Sequence, residues 1–249
     1  MNDRLSGHKP ELRFVIPSVI LDRKAECPMF PLDCAPTRRG FLSSTVALST
    51  AVAGATFAPE LAFSVESDIS DLSVVGPKKG YSPQIGTLVS MMNWMRHVML
   101  MPVKGMTQKD LDFLLDDKAN RIGALLLHLA ATDRLYHVHT FQNVALKDLP
   151  ESFKEKWGMP MELGEPARKG IIGHDLDYYL NILNETREQT LAEFRKRDDN
   201  WLMTVDKDWG WGPTNNYCKW FHVCEHESNH NGQIKFLKSR LPGAKPASE

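Results

Sequence analysis

The chain has 249 residues and a formal net charge of −1 at pH 7. Because nucleic-acid-binding domains carry a strongly basic face, this charge balance argues against a nucleic-acid partner. The chain contains only four cysteines, and two of them, Cys27 and Cys34, lie in an N-terminal leader. Cys218 and Cys224 share one predicted helix but project in different directions, so we do not expect a disulfide to hold the fold together.

Residues 1–64 have the features of an export leader. Within residues 37–64, Arg38 and Arg39 begin a stretch that continues with an uncharged run rich in Ala, Ser, Thr and Val and ends in small residues near Ser64. This order is typical of a twin-arginine export signal. The run is too short and too polar to form a permanent membrane helix.

A mitochondrial transit peptide is the competing interpretation of this leader. Transit peptides are poor in acidic residues, whereas five acidic residues precede Arg38. We therefore expect a periplasmic or otherwise exported protein that uses the twin-arginine translocation machinery.

Beyond the leader, the chain is long enough for one domain with a hydrophobic core. Residues 65–81 are punctuated by Ser, Asp, Gly and Pro, which predicts a linker. Residues 82–243 carry the periodic apolar patterns of the domain, and residues 244–249 are predicted to be a tail.

Periodic apolar residues predict the first two helical regions of the domain. From residue 82 to residue 101, apolar side chains recur at intervals of three and four, which is typical of an amphipathic helix. Thr107 with Asp110 is typical of a helix start, and a break is expected near residues 116–120. The main second helix then runs to about Phe141.

Two more helices are predicted in the C-terminal half. Residues 174–197 show helical periodicity, and Asn215 or Asn216 is expected to cap a last helix that ends near Arg240. Residues 144–173 contain several prolines and glycines, so they are predicted to be a long crossover with little regular structure that covers a site. No strand pattern appears, and four helices with unequal connections predict an all-α four-helix bundle.

The sequence WFHVCEHESNHNGQI, residues 220–234, places His222, His226 and His230 four residues apart on one predicted helix. At 3.6 residues per turn these side chains lie along one face, and two imidazoles one turn apart can bind one divalent metal ion. Such a pair needs a third ligand from another element. The alternative is a helix whose histidines are half buried or lie at the surface without a metal.

His128 is a candidate for the third ligand. It lies in LLLHLAATDRLYH, residues 125–137, within a strongly apolar stretch. A single histidine there is more often a hydrogen-bonded core residue, but opposite a His-x3-His pair it would complete a three-nitrogen site with an open position. Asp133 is a candidate to orient a ligand imidazole by a hydrogen bond to the ring nitrogen that does not bind the metal. His137 and His139 are expected at the surface or at the helix end.

Two segments, IGALLLHLAATDRL in the second helix and WFHVCEHESNHNGQIKFLKSRLPG in the last, resemble the DinB/YfiT-like superfamily of metal-binding four-helix bundles. The order and spacing of the four helices over residues 82–243 agree with it. The resemblance implies that His128, His226 and His230 are the metal ligands, and it favours a homodimer. One departure is Asn231, where many relatives have Arg.

The best-understood enzymes of this superfamily are thiol-dependent transferases or isomerases that use a low-molecular-weight cytosolic thiol. An exported protein would not meet that thiol readily. We therefore expect an exported enzyme that depends on a divalent metal ion and has hydrolase or transferase chemistry on a small-molecule substrate. Imidazole ligands favour zinc or nickel, and iron is a further option.

Three polar residues, His222, Glu225 and Asn229, are predicted to line the pocket beside the metal. They lie on the same helical face as the ligand pair and could orient a substrate or move a proton, or be ordinary polar lining. An open coordination position beside this pocket would favour the enzyme. A closed four-ligand shell that includes His222 would favour a structural metal. A further alternative is a bundle that binds metal without catalysis and serves as a metal-sequestering, metal-sensing or stress-associated protein.

Overall fold

A computed structural model of the protein describes residues 69–245, and the predicted export signal at residues 37–64 lies outside the described residues. The described part is mostly helical. Its helices are α1 (Ile69–Leu72), α2 (Pro83–Leu100), α3 (Gln108–Leu111), α4 (Ile122–Phe141), α5 (Glu151–Glu162), α6 (Gly164–Gly170), α7 (Leu176–Phe194), α8 (Asp199–Met203) and α9 (Asn216–Lys238). Helix α1 lies within the segment that was predicted to be a linker.

The long helices α2, α4, α7 and α9 form a bundle, which confirms the predicted all-α fold. Helix α4 is central, because it packs against α7, α9 and α5, while α2 packs against α9. Gly123 lets α4 and α7 approach closely: a Cβ at this position would lie 2.6 Å from the hydroxyl of Tyr179. None of the helices described is long and apolar enough to cross a membrane.

Helices α3 and α9 begin at the capping residues that the sequence predicted. The Thr107 hydroxyl accepts from the backbone N–H of Asp110, and the Asp110 carboxylate accepts in return from the N–H of Thr107, which forms a capping box. Asn215 caps α9, because its side-chain oxygen accepts from the N–H of Cys218. Helix α9 therefore starts where the sequence predicted. Cys218 is exposed, Cys224 is buried, and neither forms a disulfide.

The crossover over residues 144–173 differs from its prediction, because it contains helices α5 and α6. Pro150 is the residue that precedes α5, and Pro166 lies in the first turn of α6. Proline is tolerated at such positions, since the N–H groups of a first turn have no partner within the helix. Pro160 lies in the last turn of α5, and the chain leaves that helix through Leu163 and Gly164, both at positive φ.

The segment between α8 and α9 contains two strands of two residues each. Strand β1 (Val205–Asp206) pairs antiparallel with β2 (Thr214–Asn215), and Val205 lies opposite Asn215. The sequence showed no strand pattern here, because two-residue strands are too short to leave an alternating pattern.

A buried ion network joins all four long helices. The Glu227 carboxylate of α9 accepts from Arg96 of α2 and from Arg187 of α7, at 2.6 Å in each case. Arg187 also donates to Asp133 of α4 at 2.9 Å. The suggestion that Asp133 orients a ligand imidazole is therefore wrong, since both its oxygens are bonded to α7, to Arg187 and Thr190.

Candidate metal site

Three imidazole rings meet where α4 packs against α9. His226 and His230 lie one turn apart on α9, and α4 supplies His128. The Nε2 atom of His226 lies 2.9 Å from Nε2 of His128 and 2.6 Å from Nε2 of His230. The ligand atoms of the three residues all lie within 4.8 Å of one another. The structure therefore brings together the three residues that the resemblance implied.

The outer nitrogens of His128 and His230 face carbonyl oxygens. Nδ1 of His128 lies 2.8 Å from the backbone oxygen of Pro160, and Nδ1 of His230 lies 2.9 Å from Oε1 of Gln233. Because a carbonyl oxygen only accepts, each Nδ1 carries the single ring hydrogen of a neutral imidazole and donates it. Each Nε2 then keeps a free lone pair, which is the form that binds a metal.

The Pro160 contact follows from where α5 ends. The last four carbonyl groups of a helix have no partner within it, and Pro160 lies two residues before the end of α5. Its oxygen is therefore free to accept from His128. No local signal could have predicted this contact, since the two residues are 32 positions apart. Gln233 could have been found, because residues three apart on a helix are neighbours.

The electrostatics of the three rings suit a cation. Burial lowers the pKa of His128 to about 4. Burial, together with the neighbouring imidazoles, holds the pKa of His226 well below its ordinary value, and burial also lowers the pKa of His230. All three are thus neutral at pH 7, and their facing lone pairs repel each other unless a positive ion lies between them. The residues present therefore fit a divalent metal ion that accepts imidazole ligands.

His222 does not join this group. Its Nδ1 lies 2.8 Å from the hydroxyl of Tyr136, and Trp211 packs edge-on against its ring with a centroid distance of 4.8 Å. Within residues 69–245, the cluster contains no fourth His, Cys, Asp or Glu. The group is thus a three-nitrogen set, and three protein ligands are typical of catalytic rather than structural metal sites.

The other two predicted pocket residues, Glu225 and Asn229, are exposed. Asn229 lines a groove of about 630 Å³ between α9 and the segment before α4, which we call the Phe236 groove. Gln233 also lines it, so the groove reaches the residue that contacts His230. Its walls are partly apolar and partly polar, and they include Leu115, Asp116, Lys118, Asn120, Asn229, Gln233 and Phe236.

His137 and His139 were predicted at the surface or at the helix end, and this is wrong for His137, which is buried against Phe141. Burial lowers the pKa of both histidines. His139 is half buried and accepts at Nε2 from the ammonium of Lys219, 2.8 Å away, since its Nδ1 donates to the oxygen of Val144. It is eleven positions beyond His128, or about 16 Å along the helix, and belongs to a separate cluster.

That second cluster is centred on Lys219, which was not predicted from the sequence. Its ammonium donates to Asp206 of β1 at 2.7 Å and lies 4.5 Å from the ring centre of Trp209. His139 is the second hydrogen-bond partner of this ammonium. The cluster therefore fixes the hairpin to α4 and α9, beside a cavity of about 220 Å³.

Asn231, the departure from the resemblance, is buried and takes no part in the three-histidine group. Its side-chain oxygen has no hydrogen-bond partner, and the same holds for Oε2 of Glu227 one turn earlier. Asn231 thus lies one turn after Glu227 of the buried network and outside the group of three histidines.

A family model described as mycothiol-S-transferase matches residues 87–243. The match runs from within α2 to just beyond the end of α9 and includes all three clustered histidines. It confirms the expected relation to DinB/YfiT-like proteins. No curated protein is matched by the chain. The chain therefore belongs to the mycothiol-S-transferase family, one of the DinB/YfiT-like families.

Proposed function

We propose that the protein is a metal-dependent transferase that joins a low-molecular-weight thiol to an electrophilic small molecule. His128, His226 and His230 hold the metal, with zinc or nickel as the first choice and iron as the next. One observation carries the proposal: three Nε2 atoms converge, and two of the rings are held with Nδ1 protonated by carbonyl oxygens. Membership of the mycothiol-S-transferase family supports transfer rather than hydrolysis.

A divalent ion held by three neutral imidazoles would supply a Lewis acid that lowers the pKa of a thiol or water molecule bound to it. The protein supplies the geometry. The Pro160 oxygen and the Gln233 side chain orient two of the rings. Burial keeps the rings neutral, which spares an incoming cation from competing with protons.

His222 and Tyr136 form a polar pair beside the three rings. The ring centroids of His222 and His226 are 5.3 Å apart. The buried Tyr136 hydroxyl stays protonated, because burial raises its pKa. A phenol hydroxyl can donate or accept; we propose that it donates to Nδ1 of His222, so that Nε2 of His222 carries the ring hydrogen. We assign His222 the role of a neutral hydrogen-bond donor that orients a substrate group.

We further propose that the leader exports the folded protein through the twin-arginine route. The support is the Arg38–Arg39 pair followed by an uncharged run ending near Ser64. An exported enzyme needs its thiol in the same compartment, so the cosubstrate is expected to be a thiol available outside the cytosol. A homodimer stays a prediction from the resemblance.

The test is metal content followed by transfer activity. Full-length wild type, His128→Ala and His226→Ala are loaded with zinc or nickel, dialysed and measured by elemental analysis, with His97→Ala as the control because His97 is an exposed histidine on α2. We expect about one metal ion per chain in wild type and control, and none in the two site variants. Transfer of a low-molecular-weight thiol, with cysteine and mycothiol tested side by side, to a fluorogenic bimane electrophile should follow metal content.

Wild type without metal after loading would refute the proposed function. Metal without transfer or hydrolysis would leave the second candidate, a bundle that binds metal without catalysis. Equal metal content in wild type and His128→Ala would show that α4 supplies no ligand.

A further inference from the structure

The Gln233 side chain contacts a metal-binding histidine and also lines a surface groove. Its side-chain oxygen accepts from Nδ1 of His230 at 2.9 Å, and the same side chain lines the Phe236 groove. It is exposed, whereas His230 is buried. The side chain therefore connects a buried metal-binding ring to a surface groove large enough for a small molecule.

The hydrogen bond matters because a neutral imidazole carries one hydrogen on either nitrogen. Only the form with hydrogen on Nδ1 leaves Nε2 of His230 free for a metal. His128 is held in that form by a backbone oxygen, which no side-chain substitution removes. His230 is held by a side chain, so its tautomer depends on the residue at position 233.

We propose that Gln233 is a positioning residue of the metal site: it selects the metal-binding tautomer of His230 from the wall of the Phe236 groove. A ligand in the groove then contacts the same amide that holds His230. The mixed lining fits a ligand with an apolar part against Leu115 and Phe236 and hydrogen-bonding groups facing Asn120 and Asn229. This inference rests on the metal-binding part of the proposed function.

The experiment compares Gln233→Leu, which removes the acceptor, with Gln233→Glu, which keeps it. Gln189→Leu is the control, because Gln189 is an exposed glutamine on α7 that bonds Arg134 and Glu185. Zinc affinity of the full-length protein is measured by competition with a chromogenic chelator. Histidine tautomers of the metal-free protein are read from long-range ¹H–¹⁵N correlation spectra.

We expect Gln233→Leu to weaken zinc binding about 10- to 100-fold, the usual effect of losing a group that orients a metal-ligating histidine. Gln233→Glu should bind zinc at least as tightly as wild type, and Gln189→Leu should be unchanged. In the metal-free spectra, His230 should carry its hydrogen on Nδ1 in wild type and Gln233→Glu, and move part of it to Nε2 in Gln233→Leu.

Two results would overturn the inference and leave the proposed function standing: wild-type zinc affinity in Gln233→Leu, or an unchanged His230 tautomer in that variant. If wild type binds neither zinc nor nickel, the proposed function fails first and the inference fails with it.

Discussion

Replacing Glu227 with glutamine should destabilise the bundle severely, because this residue holds two buried arginines. Its Oε1 atom accepts from Nη2 of Arg96 and Nη2 of Arg187, both at 2.6 Å, and from Nε of Arg96 at 2.9 Å. Glu227 is only 1% exposed. The network contains two arginines and two carboxylates, with Asp133 as the second carboxylate. In the variant, one buried positive charge has no compensating negative charge.

Removing one partner from a buried ion pair typically costs about 3–5 kcal/mol. A domain of this size has a total stability of about 5–15 kcal/mol, so Glu227→Gln should remove about a fifth of it or more. With a urea m-value of roughly 2 kcal/mol/M, the unfolding midpoint should fall by about 1.5–2.5 M. Helix α9 also carries two of the metal ligands, so the measurement is made in the presence of a chelator.

The assay is urea unfolding followed by far-ultraviolet circular dichroism. Glu225→Gln is the matched control: it makes the same substitution two positions away, at an exposed residue of α9. The free energy of unfolding of Glu225→Gln should stay within about 0.5 kcal/mol of the wild-type value, as for ordinary surface substitutions. If the free energy of unfolding of Glu227→Gln is within about 1 kcal/mol of the wild-type value, the Glu227 carboxylate contributes little net stability. The expected loss from an uncompensated buried charge would then be refuted.

Two predictions concern the groove and the leader. Phe236→Ala should raise KM for the small-molecule substrate of the proposed transfer several-fold with kcat little changed, because Phe236 lines the groove. Phe221→Ala is its control, since Phe221 is 49% exposed against 51% for Phe236 on the same helix, and equal KM values would exclude the groove as a substrate site. The double variant Arg38→Lys, Arg39→Lys should accumulate in the cytosol when wild type is recovered outside it, as judged by cell fractionation. Identical fractionation of the two proteins would argue against twin-arginine export.

The sequence predicted the bundle well because its helices have strong local signals. The Thr107–Asp110 box and the Asn215 cap each occupy a few consecutive residues, so no tertiary information was needed. The crossover was predicted wrongly because prolines were taken as helix breakers, whereas Pro150 and Pro166 stand where helices tolerate them. Whether a proline is tolerated depends on where the helix begins, and no capping side chain marks the start of α5 or α6.

The sequence by itself determined the spacing of His226 and His230, because helical periodicity places residues four apart on one face. It also determined that His128 lies in a buried helix. Only the tertiary structure decided that the three rings meet, that Pro160 and Gln233 hold two of them, and that Tyr136 holds His222 apart. The tertiary structure also decided that Asp133 accepts from Arg187 and does not orient a ligand imidazole. Hydrogen-bond partners across a bundle are set by helix packing, and a single sequence encodes that packing through many weak contacts spread over the whole chain.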